Sequence, residues 1–83
     1  MHEYSIVQAM FDRIEQVAQE RRAAAVRRVS VRIGDASGLD VGLFRTAFEL
    51  FRERTICDGA ELAVEEVPAG DEITLMQLDL EVP

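Results

Sequence analysis

Met1-His2-Glu3 is the place in this chain where residue type and spacing most directly suggest chemistry. A free α-amine has an ordinary pKa near 8, so a metal ion can displace its proton at neutral pH. The neighbouring imidazole, with a pKa of about 6.5, is already mostly neutral and able to ligate. The amine, the His2 backbone nitrogen and the His2 side chain lie within one residue step and can close small chelate rings on one ion. A tetragonal nitrogen set of this kind suits Ni(II) or Cu(II) rather than octahedral, oxygen-seeking ions. Because His2 is bulky, the initiator methionine is expected to be retained, which keeps the amine in this register. Taken alone, a histidine at position 2 is a weak signal.

The rest of the chemical inventory is short. One cysteine, Cys57, excludes an internal disulfide and any multi-cysteine metal cluster, and with a single histidine the stock of transition-metal ligands is nearly exhausted. A thiol enzyme would need Cys57 activated by a base such as His2, and no third group is evident. No phosphate-binding loop, dinucleotide fingerprint or helical histidine pair occurs. Glu65-Glu66 and Asp71-Glu72 read as solvated acids. All nine basic residues are arginine, and residues 55–83 carry acids but no base. A net charge of −7 argues against nucleic acid and anionic membrane as partners. No apolar run approaches the roughly 18–20 residues of a membrane span, and no secretory signal opens the chain, so a cytoplasmic location is expected.

The elements that must position these residues follow from hydrophobic periodicity. With 83 residues there is room for one domain, expected over 1–83. Val7, Met10, Phe11, Ile14, Val17 and Ala18 follow helical spacing and predict a helix over 5–22, with Ser5 and Gln8 as a capping box. Val29, Val31 and Ile33 alternate with Arg28, Ser30 and Arg32 in a strand over 26–33. Asp40 stands where an N-cap should be, ahead of a helix over 41–54 whose stripe is Phe44, Ala47, Phe48 and Phe51. Strands are predicted over 61–67 and 73–82, the latter with Met76, Leu78, Leu80 and Val82 inward, joined by a turn at Pro68-Ala69-Gly70-Asp71. The expected fold class is α+β: two amphipathic helices packed on one face of a three-stranded sheet, with the last two strands an antiparallel hairpin.

Met1-His2-Glu3-Tyr4-Ser5 opening an amphipathic helix resembles the HypA/HybF family of nickel metallochaperones of nickel–iron hydrogenase maturation. Val29-Ser30-Val31-Arg32-Ile33-Gly34, Leu43-Phe44-Arg45-Thr46-Ala47-Phe48-Glu49, Asp58-Gly59-Ala60-Glu61-Leu62 and Leu80-Glu81-Val82 resemble successive elements of the same family. The resemblance implies a Ni(II) carrier and not an enzyme, with a maturation GTPase and the hydrogenase large subunit as partners. It implies ligation by the Met1 amine and His2, with Glu3 contributing its backbone nitrogen or tuning the site. Asp40 matches an acidic residue implicated beside the nickel in some members, while its plain reading is a helix cap.

The chain also departs from the family pattern. Members carry a zinc ribbon of two Cys-x-x-Cys pairs between the last two strands, whereas here Ala69 runs directly into Gly70. Structural zinc is therefore not expected, and delivery of nickel to partners is expected to be impaired. If the shortened hinge at Pro68–Asp71 is strained, the last strand could pair with a second copy in a domain-swapped homodimer. The rival to a nickel carrier is an interaction module that keeps the fold without the metal.

Overall fold

The computed structural model describes residues 3–83. The first helix, α1, spans Glu3–Glu20 and buries Val7, Phe11, Ile14 and Ala18 along one stripe. It begins two residues earlier than periodicity suggested, with the acidic Glu3 in its first turn, where the helix dipole favours negative charge. The capping box does not form, since Ser5 lies inside the helix and Gln8 donates to Asp12 at 3.2 Å. Arg22, at φ 53°, turns the chain out of α1 in the left-handed region. The Ala23 N–H then donates to the Ala18 carbonyl (2.9 Å) and the Arg22 N–H to the Gln19 carbonyl (3.1 Å). This is a Schellman-type end made without glycine.

Strand β1 (Ala25–Gly34) is followed by a 3-10 turn (Asp35–Ser37), helix α2 (Val41–Phe51), strand β2 (Glu61–Val67) and strand β3 (Ile73–Glu81). The core joins Val7, Phe11 and Ile14 of α1 and Phe44 and Phe48 of α2 to Val26, Val29, Val31 and Ile33 of β1. The expected α+β class and the three-stranded sheet are present.

The predicted hairpin of the last two strands is not. The sheet order is β2-β1-β3, with β2 parallel and β3 antiparallel to β1, so β2 and β3 never touch as neighbours. Two causes are visible. The α2 crossover returns the chain to the start of β1, which makes β2 parallel. Residues 68–72 then do not reverse beside β2 but pass over the end of β1. There Gly34 donates to the Glu72 carbonyl at 2.9 Å and Ala36 to the Gly70 carbonyl at 2.7 Å. A Cβ on Gly34 would lie 2.2 Å from the Gly70 carbonyl carbon, so the crossing depends on a residue without one. The most deeply buried strand thereby gains a neighbour on both edges.

The alternation read for β3 is also corrected. Pairing with β1 shifts register between Ser30 and Val31, which leaves Met76 without a β1 partner. This bulge reverses the phase of the strand. Ile73, Leu75, Leu78 and Leu80 pack on the core, while Met76 and Val82 are exposed. On the face away from the helices, Arg28 pairs with Glu61 (3.6 Å) and Asp79 (3.9 Å), and Arg32 with Glu65 (3.1 Å). The acidic C-terminal third is thus flanking a central strand of arginines. All these pairs are exposed, each contributing about 0–1 kcal/mol.

Candidate metal-binding site

Of the sequence-predicted ligands, Met1 and His2 lie outside the described residues. Glu3 and Asp40 are described, and the fold brings them together across 37 positions of sequence. Each is placed by apolar anchors. Glu3 opens α1 just ahead of Ile6 and Val7, both packed in the core, and Tyr4 meets Phe51 in a tilted contact with ring centroids 5.9 Å apart. After the 3-10 turn, Gly38 adopts φ 79°, a left-handed conformation suited to glycine, and the Leu39 N–H donates to Ser37 Oγ at 3.3 Å. Leu39 and Val41 pack against the core on either side of the exposed Asp40.

Asp40 is the N-cap of α2, in extended backbone conformation, with Oδ1 accepting the Leu43 N–H at 3.0 Å. Its own N–H donates to Glu3 Oε2 at 3.1 Å. The first turn of α1 is thereby tied to the first turn of α2 by a chain of two hydrogen bonds. Accepting the Asp40 N–H, and secondarily its own backbone N–H, holds the Glu3 carboxyl below the usual carboxylate range. The plain capping role of Asp40 is therefore real, and it engages one carboxylate oxygen. The Glu3 side chain acts as a tether, a role sequence reasoning missed. No local signal could have revealed it, because Asp40 comes into reach only through tertiary packing.

Elsewhere, among the described residues, no group of three or more histidine, cysteine or acidic side chains converges as a metal site. Cys57 is fully buried, and burial, with a smaller contribution from the charge of Glu15, pushes its thiol up to about 11. A protonated thiol of this kind is neither a good nucleophile nor a ready ligand. Glu65 is committed to Arg32, and Glu66, Asp71 and Glu72 are exposed. No helix among the described residues is long and apolar enough to cross a membrane.

Comparison with known proteins identifies the family and the fold. The family model described as "Hydrogenase/urease nickel incorporation, metallochaperone, hypA" matches residues 1–72. A hydrogenase maturation factor HypA of Shewanella baltica is 41% identical over 68 residues, covering 82% of this chain and 58% of that protein. The Aquifex aeolicus factor of the same name is 45% identical over 65 residues, covering 78% and 56%. The chain thus spans less than two thirds of the length of these relatives. The solution structure of the Ni metallochaperone HypA from Helicobacter pylori superposes with a TM-score of 0.87 at 25% identity, over 100% of both chains. A helix-led mixed sheet with this strand order, matched along most of its length, makes the chain a member of the HypA family.

Proposed function

We propose that this chain carries Ni(II) for hydrogenase maturation, holding the ion at its own amino terminus. The ligands on this reading are the Met1 amine, the backbone nitrogen and imidazole of His2 and the backbone nitrogen of Glu3, with the Asp40 carboxylate beside the ion. The reading is supported by one observation above the others: the Glu3–Asp40 hydrogen bond, which holds the third residue against the cap of α2. Glu3 also stands in the first turn of α1, where its backbone N–H has no helical carbonyl to bond and meets only its own carboxylate. The nickel is cargo, so the chain makes and breaks no substrate bond. A maturation GTPase and the hydrogenase large subunit are its partners, and the cytoplasm its setting. We read 1–83 as a single nickel-binding domain with the family's zinc ribbon absent at the Ala69/Gly70 junction. It takes no structural zinc and delivers nickel poorly.

The test is Ni(II) titration of untagged protein followed by calorimetry and absorption spectroscopy. One ion per chain is expected, weakening as pH falls from about 8 to 6 because the amine and imidazole must both be deprotonated. His2→Ala, or a residue added before Met1, abolishes binding. Asp40→Asn separates the two roles of Asp40, since asparagine caps a helix about as well but offers no carboxylate. Weaker nickel binding with unchanged helix stability makes Asp40 a ligand; unchanged affinity makes it a cap alone. Failure of native, tag-free protein to bind nickel at neutral pH sinks the carrier reading.

One observation favours a second property, a homodimer formed by exchange of β3. Ala69 holds φ 59°, a left-handed conformation costing a non-glycine residue about 1–2 kcal/mol, at the point where the chain crosses β1. Opening that crossing relieves the strain and frees β3 to pair with β1 of a second copy. Light scattering that finds only monomer from micromolar to millimolar concentrations disposes of it.

A further inference from the structure

We propose that the outer edge of β3, with the trough between it and α1, docks an extended, acid-bearing segment of a partner protein as an added strand. The two edges of the sheet are not alike. On the β2 side, Arg45 of α2 donates from Nη1 to the Leu62 carbonyl (3.3 Å), and Arg52, the C-cap of that helix, donates from Nη1 to the Ala60 carbonyl just ahead of the strand (2.6 Å), so arginines occupy backbone acceptors where β2 begins. Among the described residues, no side chain bonds the backbone of β3 in this way.

Beside the open edge runs a trough, apolar in its first part and of mixed lining in its second. One part, of about 370 Å³, lies between Ile6, Ala9 and Met10 of α1 and Ile73 and Leu75 of β3. A second, of about 330 Å³, continues along Val17, Leu78 and Leu80, and Arg13 and Leu75 line both. A strand added here gains main-chain hydrogen bonds from β3 and a place for alternate side chains in the trough.

Charge selects the occupant. Arg13 and Arg21 border the trough; among the described residues neither joins an ion pair, and Arg13 donates from Nη1 to the neutral Gln16 Oε1 at 3.0 Å. The two arginines are eight residues apart on α1, or about 12 Å along the axis. Side chains at i and i+4 of an extended strand share a face and stand about 13 Å apart. The matching segment therefore carries acid, any residue, apolar residue, any residue, acid, with the apolar residue between the two carboxylates entering the trough near Val17. The edge strands of a second copy do not offer this segment free: Glu61 and Glu65 of β2 have the spacing but are paired with Arg28 and Arg32 on the far face of the sheet, where Asp79 and Glu81 of β3 also pair, with Arg28 and Arg27.

The test uses the full chain, isotope-labelled and free of metal, so that its outcome is independent of nickel binding. The probe is the capped peptide Val-Glu-Thr-Val-Thr-Glu-Val, with a control bearing lysine for each glutamate. Amide shifts and slowed hydrogen exchange over Gln77–Glu81, with shifts in α1 from Arg13 to Arg21, are expected for the glutamate peptide only. Charge reversal by Arg13→Glu with Arg21→Glu, both at exposed positions, weakens that peptide about tenfold and admits the lysine peptide. Four outcomes overturn the proposal: no binding at millimolar peptide, equal binding of both peptides, shifts confined to β2, or, without any peptide, concentration-dependent shifts over Gln77–Glu81 with the 68–72 crossing unmoved. The last would mean that a second copy takes the edge, as distinct from exchanging β3 through an opened crossing.

Discussion

Gly34→Ala tests the crossing that sets the strand order. The backbone of Gly34, at φ −75° and ψ 138°, is open to any residue, so alanine meets no conformational penalty there. Considered on the unfolded chain alone, the substitution would stabilise by about 0.4–1 kcal/mol. Packing reverses the sign. The new methyl group would lie 2.2 Å from the Gly70 carbonyl carbon and oxygen and 2.7 Å from the Asp71 nitrogen, all backbone atoms. Relief requires the 68–72 segment to move by more than 1 Å, since ordinary contact begins near 3.4 Å. That displacement breaks the Gly34–Glu72 and Ala36–Gly70 backbone hydrogen bonds, worth about 0.5–1.5 kcal/mol each. With about 1 kcal/mol of residual overpacking strain, and less the gain from the unfolded chain, the expected net loss is about 1–3.5 kcal/mol. Urea unfolding followed by circular dichroism measures it, and for so small a domain the midpoint falls by roughly 2 M. A variant as stable as the parent, or more so, refutes the tight crossing and the explanation of the strand order built on it.

Two further outcomes concern local strain and titration. Arg22→Gly stabilises the domain by up to about 1 kcal/mol in the same urea assay, because Arg22 closes α1 at φ 53° where glycine is less strained. Cys57, its thiol raised from 9.0 to about 11, resists alkylation at pH 8 while folded and reacts once unfolded. Its raised pKa means that the native state holds this proton more tightly. The associated stability is complete below pH 9 and is lost as pH rises toward 11. Cys57→Ala, compared with the parent across that range, flattens the decline.

Much of the fold could be read without coordinates, and the reasons are local. Phe44, Ala47 and Phe48 repeat at helical spacing and are all fully buried, because an amphipathic helix has only one stripe to hide. Val29, Val31 and Ile33 alternate and are all buried for the corresponding reason in a strand. Alternation failed at Met76, where a bulge that only pairing with β1 creates turned the side chain out. The capping box failed because α1 already runs through Ser5, and Gln8 bonds Asp12 one turn on instead of reaching back.

What residue order alone determines here is each segment's conformation and apolar face, together with the chemical possibility held by Met1-His2-Glu3. Those properties depend on neighbours a few positions away, so they survive in a one-dimensional text. Tertiary structure alone decided that β3 takes the far edge of β1, that Gly34 must lie against Gly70, and that Glu3 meets Asp40. Each of these joins backbone atoms far apart along the chain through contacts of a few ångströms. Such contacts exist only after the core has packed, and no periodicity records them.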